Sequence, residues 1–340
     1  MADIRRIVVD RHGEVVTEQA TMPEPGPQEV RVRTVLVGVC GSDTHAQHGR
    51  HPHVPLPYAP GHEVLGIVDA VGEQVTDFSP GQRVTVEPTL PCWDCKQCRG
   101  GDENLCENLK FFGCGHEQGG MAQLFTIAAR RLHHVPDELD DHTAALIEPL
   151  STPVHAVRIA GPLEGRSVAI IGGGTIGLLT LAAARAAGAR RVVLTDPLAA
   201  KRALAAELGA DAVVDAAAPH ATAQIRAALG ESADVVFDCV AITPTVAQGV
   251  ELARKGGTVA IVGVPTDDLV VPLPIVQDEQ IRLQGSATYV AQDVRAAIEL
   301  LQSGAVPADR IVTSERPEAE AAQAFRDAIS GEQIKVVIRW

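Results

Sequence analysis

Residues 167–177, SVAIIGGGTIG, join an apolar run to glycines spaced G-x-G-x-x-G at Gly172, Gly174 and Gly177, and the Ala-rich stretch TIGLLTLAAARAAG begins within the same motif. Glycines at that spacing permit a tight strand-to-helix turn, close approach of the backbone to a pyrophosphate, and close packing of helix on strand. The free N–H groups of the first helical turn, which starts at Thr175 and Ile176, suit an anion. Taken alone, the motif reads equally as an ordinary glycine-rich turn. Context favours dinucleotide binding, because the next apolar run, RRVVLTD, ends in Asp196 about twenty residues on, where a carboxylate can take the adenosine ribose hydroxyls. An acidic residue there repels a 2′-phosphate and favours NAD over NADP. Lys201 reads equally as a phosphate contact and as a solvated helix charge, and Arg202 as the latter.

The motif sits in a longer alternation. Apolar runs SVAIIG, RRVVLTD, DAVVD, DVVFDCV, GTVAIVGV and IRLQGSA are separated by Ala-rich helical stretches, the pattern of a parallel sheet covered on both faces. This predicts an α/β chain with a doubly wound domain over 151–288. Upstream the character differs: RIVVD, EVRVRTVLVGV, VLGIVDAVG, QRVTVE and LFTIAA are β-like runs set between Pro-, Gly- and His-rich loops such as HGRHPHVPLPYAPGH. A β-rich domain over 1–150 follows, joined to the second by one helix read over DDHTAALIEPLSTPVHAVRIA. Two helical stretches, VRAAIELLQSG and EAEAAQAFRDAIS, and a last strand IKVVIRW are expected to return to the first domain as 289–340. A length of 340 residues suits two cores of ordinary size.

Cys92, Cys95, Cys98 and Cys106 stand at C-x2-C-x2-C-x7-C. Four thiolates around one tetrahedral centre match a closed zinc site, which leaves no position for water and performs no chemistry. An iron–sulfur cluster also takes four thiolates, but the short spacings in a loop of a β-rich domain favour zinc. A nucleic-acid-binding zinc ribbon is disfavoured by the formal charge of −14, which also argues against an anionic membrane as partner. With seven cysteines, an odd number with four in one segment, a secreted disulfide framework is not expected. The first ten residues hold only the short apolar run IVV, and no stretch reaches the roughly 18 apolar residues of a membrane span. A cytoplasmic location and a small-molecule partner are therefore expected.

Outside that lobe, potential metal ligands are scattered: Cys40 in VGVCGSDTH, His62 and Glu63 in PGHEVLG, and Glu148 in LIEPLST. Singly they read as a small buried hydrophobe, a loop histidine with its neighbour, and a surface helix charge. A resemblance joins them. Gly61–Gly72, GHEVLGIVDAVG, is similar to the zinc signature of the medium-chain alcohol dehydrogenase family, and the cysteine lobe and the glycine motif follow in that family's order over essentially the whole chain. The resemblance implies a GroES-like first domain, completed by the C-terminal segment, and a Rossmann second domain. It further implies a homo-oligomer, tetramer or dimer, and two zinc ions per chain.

Carried over residue by residue, the resemblance makes Cys40 and His62 ligands of a catalytic zinc, with Glu63 and Glu148 as exchangeable or water-mediated carboxylates. Glu148 replaces the cysteine of classical alcohol dehydrogenases, which is similar to the polyol, butanediol and threonine dehydrogenase branch. Ser42 and His45 match the proton relay, Asp43 between them supports it, and Thr152 matches a position near the nicotinamide. His45 also reads as one more polar loop residue beside His48, His51 and His53. The implied reaction is NAD-linked oxidation of a secondary alcohol, with the proton leaving through Ser42 and the cofactor ribose toward His45. A substrate pocket is expected between the domains, with Phe111, Phe112 and residues near His51 as lining candidates or core. Cys114 and Cys239 read as buried thiols. A non-catalytic zinc- and nucleotide-binding scaffold is the reading from another class.

Overall fold

The computed structural model describes residues 3–51 and 54–340. His53 therefore lies outside the described residues. In chain order the first part comprises β1 (Asp3–Val9), β2 (Val15–Thr21), β3 (Glu29–Val39), α1 (Gly41–Gln47), β4 (Glu63–Val71), β5 (Arg83–Val86), β6 (Thr89–Leu90), α2 (Lys96–Gly100), β7 (Lys110–Phe111), β8 (Leu124–Ala128), β9 (Leu132–His134) and α3 (Asp141–Ala144). The middle runs α4 (Ile147–Ala160), β10 (Ser167–Ile171), α5 (Thr175–Ala186), β11 (Arg191–Asp196), α6 (Ala199–Glu207), β12 (Ala212–Asp215), α7 (Ala221–Leu229), β13 (Ala233–Asp238), α8 (Thr243–Leu252), β14 (Ala253–Ile261), α9 (Leu273–Asp278) and β15 (Arg282–Gly285). The end adds α10 (Ala291–Gln302), α11 (Ala308–Ile311), β16 (Val312–Pro317), α12 (Ala321–Ile329) and β17 (Lys335–Arg339).

Two compact units result, one of 1–148 with 290–340 and one of 149–289. In the first, a seven-stranded sheet runs β16-β17-β3-β4-β5-β9, with β8 also pairing β3. Most of the buried residues of β3 and β4 are Val and Leu, which suit a pleated, half-buried surface, and Val30, Val32, Val64 and Val68 are buried in its core with Phe112, Phe125 and Phe325. The last strand β17 lies antiparallel to β3, Val337 opposite Gly38, so the C-terminal segment supplies part of this sheet.

In the second unit six strands run in the order β12-β11-β10-β13-β14-β15, each pairing parallel to its neighbour. Order reverses between β10 and β13, which is where such sheets bind ligands at their carboxyl ends. Strand β10 is buried throughout, as a central strand covered on both faces must be.

The single helix read over 140–160 is two. Helix α3 closes after Ala144, and Leu146 N–H already donates to Thr143 O in a tighter i−3 bond. The reason is Pro149: it has no N–H for the Ala145 carbonyl, so a continuous helix would lose a bond there, whereas in the first turn of a new helix the loss costs nothing. Pro153 lies inside α4 and leaves the Pro149 carbonyl without its i+4 N–H donor. No described helix is long and apolar enough to cross a membrane.

Candidate metal and cofactor sites

Cys40 lies between β3 and α1, while His62 immediately precedes and Glu63 opens β4, the antiparallel neighbour of β3. That pairing sets Glu63 opposite Gly38 and brings ligand atoms of Cys40, His62 and Glu63 within 4.8 Å of one another. His62 and Glu63 are buried. Glu148 is not in this set, although it too is buried and its charge acts on His62. Ser42, half-buried on α1, has its Oγ 3.5 Å from His62 Nε2, and His45 lies exposed one turn on.

Asp43 lies against this set. Its side chain is fully buried, Oδ2 accepts the Cys40 N–H at 3.0 Å, and Oδ1 lies 4.0 Å from His62 Nδ1. Neither Oδ1 nor Nδ1 has a hydrogen-bond partner among the described residues. Burial pushes the Asp43 carboxyl up to about 6, against the pull of His62. For His62, burial opposes the charged ring, but Asp43, Cys40 and Glu148 outweigh it and the net shift is upward. A half-buried thiol with a buried imidazole and carboxylates in so negative a field forms a donor set that fits a borderline dication such as zinc.

Lys335, on β17, is a partner that no local pattern announced. Buried itself, it pairs with Glu63 and donates to Val39 O at 3.1 Å. The pair has room because position 38 is glycine: a Cβ there would overlap the Glu63 carboxylate and meet Lys335 Cε at 2.9 Å. Burial works against the ammonium, but Glu63, Cys40 and Glu148 raise its pKa. Two lining candidates separate: Phe112 is core, whereas Phe111 is half-buried with its ring 5.4 Å from that of His62, edge-on. The Cys114 thiol stands within hydrogen-bonding reach of Ser42 and is pushed up to about 12, chiefly by burial. Cys239 is raised to about 12 by burial too, with Thr180 Oγ1 at 3.7 Å.

The second thiol group, Cys92, Cys95, Cys98 and Cys106, also has its sulfurs within 4.8 Å of one another. Backbone N–H groups of Cys92 and Asn108 point at Cys106 Sγ, at 3.2 and 3.3 Å. Those of Asp94 and Cys95 pull the Cys92 thiol down to about 6. Burial pushes the Cys98 thiol the other way, up to about 12, so the backbone favours the thiolate, the form that binds metal, at Cys92.

In the second unit, Gly172 has φ +99°, a region that L side chains rarely adopt, and a Cβ at Gly177 would overlap the Gly172 carbonyl. Gly174 caps α5, whose first residues are Thr175 and Ile176. Asp196 ends β11; its Oδ2 takes the Gly173 N–H and its Oδ1 the Leu198 N–H, each at 2.8 Å. The carboxylate is thereby fixed against the glycine turn. Arg202 is committed elsewhere, donating to the Asp196 and Pro197 carbonyls and pairing with Asp215, while Lys201 is half-buried on α6 and Thr152 half-buried on α4, four residues after Glu148. Asp238, at the end of β13, is marked by no sequence motif. Fully buried, it accepts the N–H groups of Val240 and Ala241 and the Thr245 hydroxyl, which shapes the chain beside the glycine turn.

Residues 26–137 match the model of the alcohol dehydrogenase GroES-like domain and residues 175–303 that of the zinc-binding dehydrogenase domain. Sorbitol dehydrogenase of Bos taurus is 34% identical over 98% of this chain and 95% of its own length. L-idonate 5-dehydrogenase of Vitis vinifera is 34% identical over 86% of this chain and 82% of its own. Among solved structures, a protein of Sinorhizobium meliloti 1021 described as a zinc-binding dehydrogenase, bound to NADP, superposes with a TM-score of 0.93 at 34% identity, covering 100% of both chains.

Proposed function

Since this chain belongs to the zinc-binding alcohol dehydrogenase family with a GroES-like domain, we propose that it oxidises a secondary hydroxyl of a polyol or vicinal diol to the ketone, reversibly, with NAD. The observation that carries the reading is the meeting of half-buried Cys40 with buried His62 and Glu63 beside Ser42. Cys40 and His62 hold the catalytic zinc, and Glu63 and Glu148 are its exchangeable or water-mediated carboxylates. Cys92, Cys95, Cys98 and Cys106 hold a structural zinc. Relatives named for sorbitol and L-idonate, both polyhydroxylated, support the substrate class.

When bound, zinc supplies Lewis acidity toward the substrate hydroxyl and the nicotinamide accepts the hydride. The chain's own residues manage the proton. Ser42 receives it at Oγ, and His45, exposed one turn further on α1, releases it to solvent. Asp43 acts by charge on His62 from the Nδ1 side, and Lys335 restrains Glu63 in the same way. The first turn of α5, at Gly174, Thr175 and Ile176, binds the pyrophosphate, Asp196 the adenosine ribose, and Lys201 flanks it. Thr152 packs near the nicotinamide.

The test is NAD reduction over sugar alcohols, diols, threonine and simple alcohols, with and without a chelator. A polyol- or diol-dependent rate lost on chelation is expected. Preference for threonine would replace the substrate class, and no turnover of any alcohol would leave a zinc- and nucleotide-binding scaffold. Asp196→Ala should raise use of NADP relative to NAD about tenfold or more, because the like-charge clash with a 2′-phosphate is gone; unchanged selectivity in kcat/KM would refute the ribose contact.

A dimer or tetramer is proposed as well. Strand β15 is an open edge of its sheet, and Val264, Val270, Leu273 and Ile275 nearby are exposed, a combination that favours a partner. Light scattering of the purified protein decides it. Four cysteines gathered in one segment, the pattern of metal binding in a reducing compartment, support a cytoplasmic setting.

A further inference from the structure

Beside the four-cysteine segment lies an assembly of charged and aromatic side chains to which the chemistry above assigns nothing. Trp93 follows Cys92 directly, and its φ of 63° is costly for a bulky side chain. The ring so aimed carries Arg130 over its face, the guanidinium carbon 4.1 Å from the centroid, and Arg131 at 5.6 Å. Burial does not account for this placement, since Trp93 remains 37% exposed.

The two arginines differ. Arg131 is buried and pairs with Glu87, itself fully buried; it also donates through Nη2 to Thr89 Oγ1 at 2.7 Å and through Nε to the Glu87 carbonyl at 3.3 Å. His133 Nε2 lies 2.9 Å from the other Glu87 oxygen. Glu87 leaves the end of β5 and Arg131 precedes β9, so this network is rooted in two paired strands of the first sheet. Arg130 is exposed and, among the described residues, no carboxylate pairs with it; its contact is the Trp93 ring.

We infer that Trp93 and Arg130 form a latch that keeps the four-cysteine segment closed around its metal, with Arg131 and Glu87 as the buried root tying the latch to the sheet. The inference rests on the reading of these thiols as a zinc site. Four thiolates around a dication leave a net negative centre, so a guanidinium held on the ring between Cys92 and Cys95 favours the closed segment electrostatically as well as by contact. These are positioning residues for metal retention.

The test uses the zinc-loaded enzyme carrying Trp340→Phe, which leaves Trp93 as the one tryptophan of the chain. Zinc content per chain is measured first; release to a chromogenic chelator and Trp93 emission are then followed together. Emission reports the cysteine segment alone, whereas the chelator counts every site. Arg130→Ala is expected to speed the emission-linked release about two- to fivefold, as for loss of one exposed cation–π contact, and to shift Trp93 emission. Arg130→Lys should restore most of the retention. Arg130 is exposed, so the variant is expected to fold. Two zincs per chain with unchanged release and emission in Arg130→Ala would overturn the latch alone; a parent with no zinc in the cysteine segment would overturn the zinc reading and the latch together.

Discussion

Asp43 illustrates how one side chain can be placed by its neighbours for a task that its sequence position does not announce. It is adjacent to Ser42 and three residues from Cys40, and it faces His62 Nδ1 from a fully buried position. Asp43→Asn keeps the shape and can still accept the Cys40 N–H, yet removes the charge, so zinc affinity and activity should fall about 10- to 100-fold. Competition with a chelator measures the first and steady-state assay the second; unchanged values would show that Asp43 does not act on the metal. His45 gives a pH prediction. Burial, then Arg50 and His48, hold its pKa below the ordinary 6.5, so the neutral, proton-accepting form is present above that lowered value and lost as pH falls through it. Alcohol oxidation should therefore drop at acid pH, approaching about tenfold per unit, and His45→Gln should flatten that limb of the kcat/KM profile. A profile identical to the parent's would remove His45 from the relay.

At the scale of elements, the return of the chain to its first unit depends on α12 and β17. Ala321, Ala324 and Phe325 are the buried face of α12, and Phe325 belongs to the same core as Val30 and Phe125. Phe325→Ala should cost about 3–5 kcal/mol of stability, read as a lower urea midpoint of the zinc-loaded protein. A loss under about 1 kcal/mol would mean that α12 is a surface decoration. These two elements were legible in EAEAAQAFRDAIS and IKVVIRW, because amphipathic period and β-branched runs are local properties. The break between α3 and α4 is masked in the sequence. Apolar periodicity runs straight through 140–160, and only the missing N–H of Pro149 interrupts it.

For the whole molecule, the cofactor is a lever on stability. If the glycine turn and Asp196 bind NAD only when folded, NAD at 100 times its Kd should add about 2.7 kcal/mol to unfolding, seen as a raised Tm in calorimetry. No rise at saturating NAD would refute dinucleotide binding by this chain. The doubly wound sheet that presents the turn follows from the alternation of apolar strands and Ala-rich helices, and its order, with the reversal between β10 and β13, sets Asp238 next to the turn.

The sequence by itself determined what contiguous residues can carry. Gly172, Gly174 and Gly177 must lie at a strand-to-helix junction, and four cysteines within one loop must be able to converge, because a short span of chain leaves few geometries. The tertiary structure alone decided which scattered groups meet. Cys40, His62 and Glu63 converge through the register of β3 with β4, Glu148 stays outside their immediate set, and Lys335 reaches Glu63 from the far end of the chain through the pairing of β17 with β3. Such encounters depend on strand pairing between distant segments, and the glycine at position 38 that makes room for one of them has a meaning only once the strand opposite is known.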